Sequence, residues 1–117
     1  MIKHDAGKHR LGLFATYHPD TLLEECRVLE YGAEKYSPDG WRTVPDARAR
    51  YVSALYRHLH AYMHGEILDS ESGMHHMSHI RCNAAFIFYF DRLREAHALR
   101  SVDKRDMFEC ATKDSNL

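Results

Sequence analysis

Within HGEILDSESGMHHMSHIRCN, residues 64–83, the carboxylates Glu66, Asp69 and Glu71 stand among His75, His76, His79 and Asn83. Glu66 and Asp69, in E-x-x-D spacing, offer oxygen ligands of the kind Mg²⁺ takes when a few carboxylates and substrate phosphates hold it. The plainer reading is a solvated turn between two helices, with Glu71 near a helix N-terminus where the macrodipole favours an acid. His76, His79 and Asn83 fall on one helical face, and His60/His64 and His75/His79 form i, i+4 pairs. Neutral imidazoles so spaced bind Zn²⁺ or donate hydrogen bonds to a phosphate or a base. Upstream lie Glu24, Glu25, Glu30 and Glu34. Glu30 and Glu34 are one turn apart, whereas Glu24 and Glu34 are separated by ~15 Å of helix and hardly serve one ion together. The alternative for these acids is a charged outer face, with Arg27 and Lys35 as helix partners. Arg57-His58 faces the same space in this reading, and Trp41 is either a core plug or a platform for a base. No G-x-S-x-G, Walker loop or Rossmann fingerprint occurs, so an enzyme built from these parts would use metal-activated water.

Helices must position these groups. Leu22, Cys26, Leu29, Ala33 and Tyr36 recur at a 3.6-residue period and predict a helix over 20–36, opened by Pro19-Asp20 and ended by Pro38-Asp39-Gly40. A second helix is expected over 46–65, with Asp46 as N-cap, a stripe of Tyr51, Ala54, Leu55, His58 and Tyr62, and Gly65 as stop. A third starts near Ser72 or Gly73 and runs to about 99; its middle is apolar nearly all round, which argues for a buried, central place. The first 18 residues read as a basic loop or arm, and residues 101–117 as a polar, frayed tail. Strand signals are weak throughout. The fold expected is all-α: one helical-bundle domain over residues 1–100, its core completed by pairing with copies of itself as a homodimer or homotetramer.

With 117 residues and a 44% hydrophobic fraction, the chain suits one domain. The longest apolar run, Ala84 to Phe90, is far short of the roughly 20 residues a membrane span needs. A net charge of −1 argues against a general grip on polymeric nucleic acid. MIKHDAGKHR holds no apolar signal region, and Cys26, Cys82 and Cys110 form no close pair, so reduced thiols and a cytoplasmic location are expected.

Three blocks in this order carry a resemblance: KHDAGKHRLGLF, LLEECRVLEYGAEKYSPDGW and YVSALYRHLHAYMHGEILDSESGMHHMSHIRCNAAFIF. Together they resemble the phage dATP/dGTP diphosphohydrolase family, akin to the MazG-like all-α nucleotide pyrophosphohydrolases and including MazZ-type enzymes. The resemblance covers residues 3 to about 90. It implies an oligomeric helical bundle that needs Mg²⁺ or Mn²⁺ and hydrolyses dGTP or dATP to the monophosphate and pyrophosphate. In phages that replace adenine with 2-aminoadenine, such an enzyme would work in the host cytoplasm. It would supply dGMP for the modified base and thin the normal pool.

The resemblance puts Glu24, Glu34, Lys35, Trp41, Arg57, His58, Glu66, Asp69, His76, His79 and Asn83 on motif positions. In the mechanism we expect from them, Glu24, Glu34, Glu66 and Asp69 would be metal ligands, and Glu66, Asp69, His58 and His79 catalytic groups. Lys35, Trp41, Arg57, His76 and Asn83 would bind substrate, with Lys8 and Arg10 as further phosphate partners. The broader MazG pattern E-E-x-x-E has Val28 at its third acid here, which leaves open the first-helix carboxylate that completes a metal site. Two rival readings stand beside the hydrolase: a nucleotide-binding module without catalysis, favoured by Val28, and a histidine-based Zn²⁺ protein.

Overall fold

The computed structural model describes residues 6–17 and 19–102. Among them are four α-helices: α1 (Gly12–Tyr17), α2 (Pro19–Lys35), α3 (Ala47–Met63) and α4 (His76–Val102), with a short 3-10 turn at Gly40–Arg42. The architecture is all-α, and its one extended pairing among the described residues is an isolated bridge between Leu68 and His75. No described helix is long and apolar enough to cross a membrane.

α3 and α4 form an antiparallel hairpin. Arg48 pairs with Asp91 at 2.7 Å, Tyr51 packs on Phe86 and Phe90, and His58 meets His76 and His79 near the connecting turn. α2 lies against α4 as well, tied by the Glu25–Arg81 ion pair at 2.9 Å. Trp41 closes one end of the layer. It stacks on Phe86, with centroids 4.5 Å apart, and meets Tyr89 and Phe90 edge-on, while the Tyr51 hydroxyl donates to its carbonyl at 2.6 Å. Trp41 thus packs on α4 while also lining a cavity between α2 and α3.

Several elements differ from the sequence expectations. The arm expected over the first 18 residues contains a helix, α1, which meets α2 and sets its Phe14 ring 5.2 Å from the Arg81 guanidinium. Asp46 does precede α3, but in the left-handed region (φ 53°) and without a side-chain cap; its carbonyl takes the Arg50 N–H instead. Short polar side chains tolerate that conformation. α4 begins at His76 rather than at Ser72 or Gly73, because residues 66–75 fold back into a closed turn. There Asp69 N–H donates to Met74 O, His76 N–H donates to Ile67 O, and Gly73 has φ +74°. The 101–117 tail lies outside the described residues from 103 onward, and α4 carries through Val102.

α4 is not buried all round. Phe86, Tyr89 and Phe90 turn toward Trp41 and α3, while Phe88 is 66% exposed. Its hydrophobic residues are spread around the helix, and neighbours within the described chain cover only part of that circumference. The stripe on α2 is likewise uncovered in the described chain: Leu29, Ala33 and Tyr36 line an open cavity, and Leu22, Leu29 and Tyr36 are all exposed. The most deeply buried group is polar: His76 (2% exposed), Ser78, His79 and Asn83, joined by Cys82, at the start of α4. Buried polar side chains are retained where hydrogen bonds satisfy them, and no described buried side-chain polar atom is without a partner.

Candidate active site

A cavity of about 590 Å³ lies between α2 and α3, with the start of α4 and the 66–75 turn forming its inner wall. A volume of this order suits a small-molecule ligand. The turn owes its place to the end of α3. Gly65, at φ +98°, lets its own N–H reach Tyr62 O at 2.9 Å and lets Glu66 N–H reach Ala61 O at 3.1 Å. That pair of bonds is the Schellman arrangement, which needs a left-handed residue and so favours glycine. It delivers Glu66 directly to the cavity rim.

Three histidines and two acids interlock there. His58 Nδ1 lies 2.8 Å from His76 Nδ1, and His76 Nε2 lies 3.1 Å from Glu66 Oε1. The His79 ring stacks on His58 at 4.3 Å, and its Nε2 sits 2.7 Å from Ser72 Oγ. Asp69 Oδ2 accepts the Ser72 N–H at 2.8 Å and lies 3.9 Å from His79 Nε2. Burial raises the Asp69 carboxyl, but the hydrogen bonds from Ser72 outweigh it and hold the group below its ordinary value, hence ionised. Burial, reinforced by the neighbouring His79, brings His58 down to about 4, and burial also lowers His79. His58 is therefore neutral near pH 7. His58, Asp69 and His76 each offer a ligand atom, all within 4.8 Å of one another. This mixed nitrogen and oxygen set fits a divalent cation.

Charge of the opposite sign lines the same cavity. Lys35, Arg50 and Arg57 reach it from α2 and α3. Lys35 Nζ pairs with Glu71 Oε1 at 2.7 Å, and the Tyr31 hydroxyl donates to the same oxygen. That contact raises the Lys35 ammonium and lowers the Glu71 carboxyl.

Of the residues singled out from sequence, Lys35, Trp41, Arg57, His58, Glu66, Asp69, His76, His79 and Asn83 all line this one cavity. Asn83 spends one amide N–H on His79 O at 2.8 Å. Glu24 and Glu34 do not line it; Glu24 pairs with Arg27 at 3.0 Å and Glu34 is exposed. Lys8 and Arg10 are also outside it. Reading the sequence missed Ser72, which ties Asp69 to His79, and Arg50, which lies two turns before Arg57 on the same face of α3. The i, i+7 spacing of Arg50 and Arg57 was a usable signal; the role of Ser72 depends on the fold of the turn and left none.

The model of a family described as dATP/dGTP diphosphohydrolase, N-terminal, matches residues 2–100 of the chain. A protein of Salmonella phage PMBT28 named dATP/dGTP diphosphohydrolase is 33% identical over 88 residues, 75% of this chain and 29% of the phage protein. The chain thus spans less than a third of that relative's length. No solved structure matches.

Proposed function

Because the chain belongs to the dATP/dGTP diphosphohydrolase N-terminal family, we propose that its cavity hydrolyses dGTP or dATP to the monophosphate and pyrophosphate. The observation that supports this most directly is one cavity uniting ionised acids, imidazoles and three cations beside an aromatic wall. A nucleoside triphosphate presents the matching parts: a polyanion, and a flat base that Trp41 and Asn83 can meet. A bound divalent cation, Mg²⁺ or Mn²⁺, would offset phosphate charge and make a water more acidic; Asp69, with His58 and His76 or Glu66, would hold it.

The chain's own residues supply the rest. Lys35, Arg50 and Arg57 balance the charge of the triphosphate and orient it. The water oxygen bonds to the α-phosphorus as the bond from that phosphorus to the bridging oxygen breaks, and pyrophosphate leaves. His79, held neutral by burial, accepts the proton, directly or through the Ser72 hydroxyl, and Asp69 stabilises the charged ring. In a phage the product monophosphate would feed synthesis of a modified purine genome. Leu22, Leu23 and Phe88, exposed in the single chain, support assembly as a homodimer or homotetramer.

Incubating the protein with each deoxynucleoside triphosphate and Mg²⁺ or Mn²⁺ tests the reaction. Equal amounts of pyrophosphate and monophosphate are expected, from purines above pyrimidines. Glu66→Gln and Asp69→Asn should each lower turnover by about 100-fold or more. Calorimetric binding of dGTP with no product under any metal would replace catalysis with simple nucleotide binding.

A further inference from the structure

We infer that His58, His76 and Asp69 form a site for a borderline transition ion such as Mn²⁺, Co²⁺ or Zn²⁺, and that Glu66 acts on it through His76 and not as a ligand. The reading concerns the same cavity as the proposed hydrolase, yet metal binding is measurable without nucleotide.

The facing nitrogens carry the argument. His58 Nδ1 and His76 Nδ1 come from different helices and meet at 2.8 Å. Two ring nitrogens at this distance either share one hydrogen or both aim lone pairs at a common cation. Two imidazole nitrogens at ~2.0–2.1 Å from one ion, on adjacent positions, lie roughly 3 Å apart. The observed spacing is near that value. Asp69 adds an oxygen, with the three ligand atoms within 4.8 Å of one another.

The surroundings decide which ring atom faces the ion. His76 Nε2 lies 3.1 Å from Glu66 Oε1, so an Nε2–H donated to that carboxylate leaves the Nδ1 lone pair toward His58. A ligating histidine ordinarily donates its second ring N–H in this way, and the partner fixes the tautomer. Glu66 Oε1 also accepts the Ser70 N–H at 3.2 Å, which anchors the carboxylate in the turn. Asp69 is oriented in turn by the Ser72 N–H at 2.8 Å.

The donors also select the metal class. Mg²⁺ prefers oxygen and gives up its waters reluctantly. A set of two imidazoles and one carboxylate suits ions from Mn²⁺ to Zn²⁺. Of the two ions named above for the proposed hydrolysis, this donor set favours Mn²⁺ over Mg²⁺.

The test is titration of Co²⁺ into chelator-treated, dialysed protein, read by visible d–d absorption, with Mn²⁺ binding followed by electron paramagnetic resonance. One ion per chain is expected, and a large excess of Mg²⁺ should not displace it. His58→Gln and Asp69→Asn should each weaken Co²⁺ binding by at least about tenfold and alter the band, with the helical circular dichroism unchanged. Glu66→Ala should weaken binding by about 10–100-fold while leaving the band shape intact, because the ligands remain. An unaltered Co²⁺ spectrum in His58→Gln, or easy displacement by Mg²⁺, would mean an adventitious ion only and overturn the inference. Hydrolysis supported by Mg²⁺ without a Co²⁺ site sinks this inference alone. An intact Co²⁺ site with no hydrolysis sinks the proposed reaction alone.

Discussion

A thiol three residues beyond His79 reports how dry the inner wall of the cavity is. Cys82 is 3% exposed, and burial, with the nearby Glu25 adding to it, pushes its thiol up to about 12. Only the thiolate attacks an alkylating agent, and at pH 8 its fraction at Cys82 is about 1 in 10⁴. Cys26, by contrast, is exposed on α2. Iodoacetamide at pH 8 followed by peptide mass spectrometry should therefore modify Cys26 within minutes and leave Cys82 intact until denaturant is added. Rapid labelling of Cys82 in the folded protein would contradict the packing drawn for α4. The same dryness explains why His58 is neutral at physiological pH, the state in which a ring nitrogen can bind a metal. The two protonation facts share one cause, the low polarisability around the start of α4.

Elements contribute direction. The turn between α3 and α4 must reverse the chain while bringing two acids, Glu66 and Asp69, to the cavity. Gly65 is the hinge of that reversal. At φ +98° an added Cβ meets nothing within 4 Å, so substitution acts through backbone conformation alone. Gly65→Ala should cost about 1–2 kcal/mol, which for a domain of this size lowers the thermal midpoint by several degrees. It should also depress hydrolysis more than Trp41→Phe does, because the Glu66 N–H bond to Ala61 O weakens and the acid moves. A Gly65→Ala protein with unchanged melting would show that the turn takes another conformation. Gly73, at φ +74°, closes the other side of the turn and lets its N–H reach Asp69 O at 2.8 Å.

At the scale of the whole molecule, apolar surface stands exposed among the described residues. Leu22 and Leu23 on α2 and Phe88 on α4 are each more than half exposed, while the deepest burial is spent on polar groups. Apolar burial contributes roughly 25 cal/mol per Å², so covering these side chains against a second copy would stabilise the fold appreciably. Light scattering coupled to size exclusion should give two or four times the 13.7 kDa chain mass. Leu22→Glu with Leu23→Glu should shift the population toward one chain. A wild-type mass of a single chain would remove self-association from the account.

Helix existence was legible from local pattern. A 3.6-residue period, Gly65 after the second stripe and Pro19 before the first are signals written in neighbouring residues, and they placed α2, α3 and the far end of α4 to within a few positions. The family was legible too, because YGAEKY, RHLHAYMHGEILDSESG and HMSHIRCN keep their order along the chain. Other features escaped that reading. The contacts of α1, with α2 and with Arg81 far along the chain, are not local. The even spread of hydrophobic residues on α4 concealed which side packs, and only the positions of α2 and α3 decided it. Glu24 and Glu34 on α2 were expected at a metal; the fold instead leaves Glu24 with Arg27, turns Glu34 to solvent and ties Glu25 to Arg81. The sequence by itself determined the helices and supplied the acids and imidazoles, since backbone hydrogen bonding and short-range spacing are local. Tertiary structure decided that His58, Asp69 and His76 converge, since atoms from α3, a turn and α4 become neighbours only when the hairpin closes and water leaves the space between them.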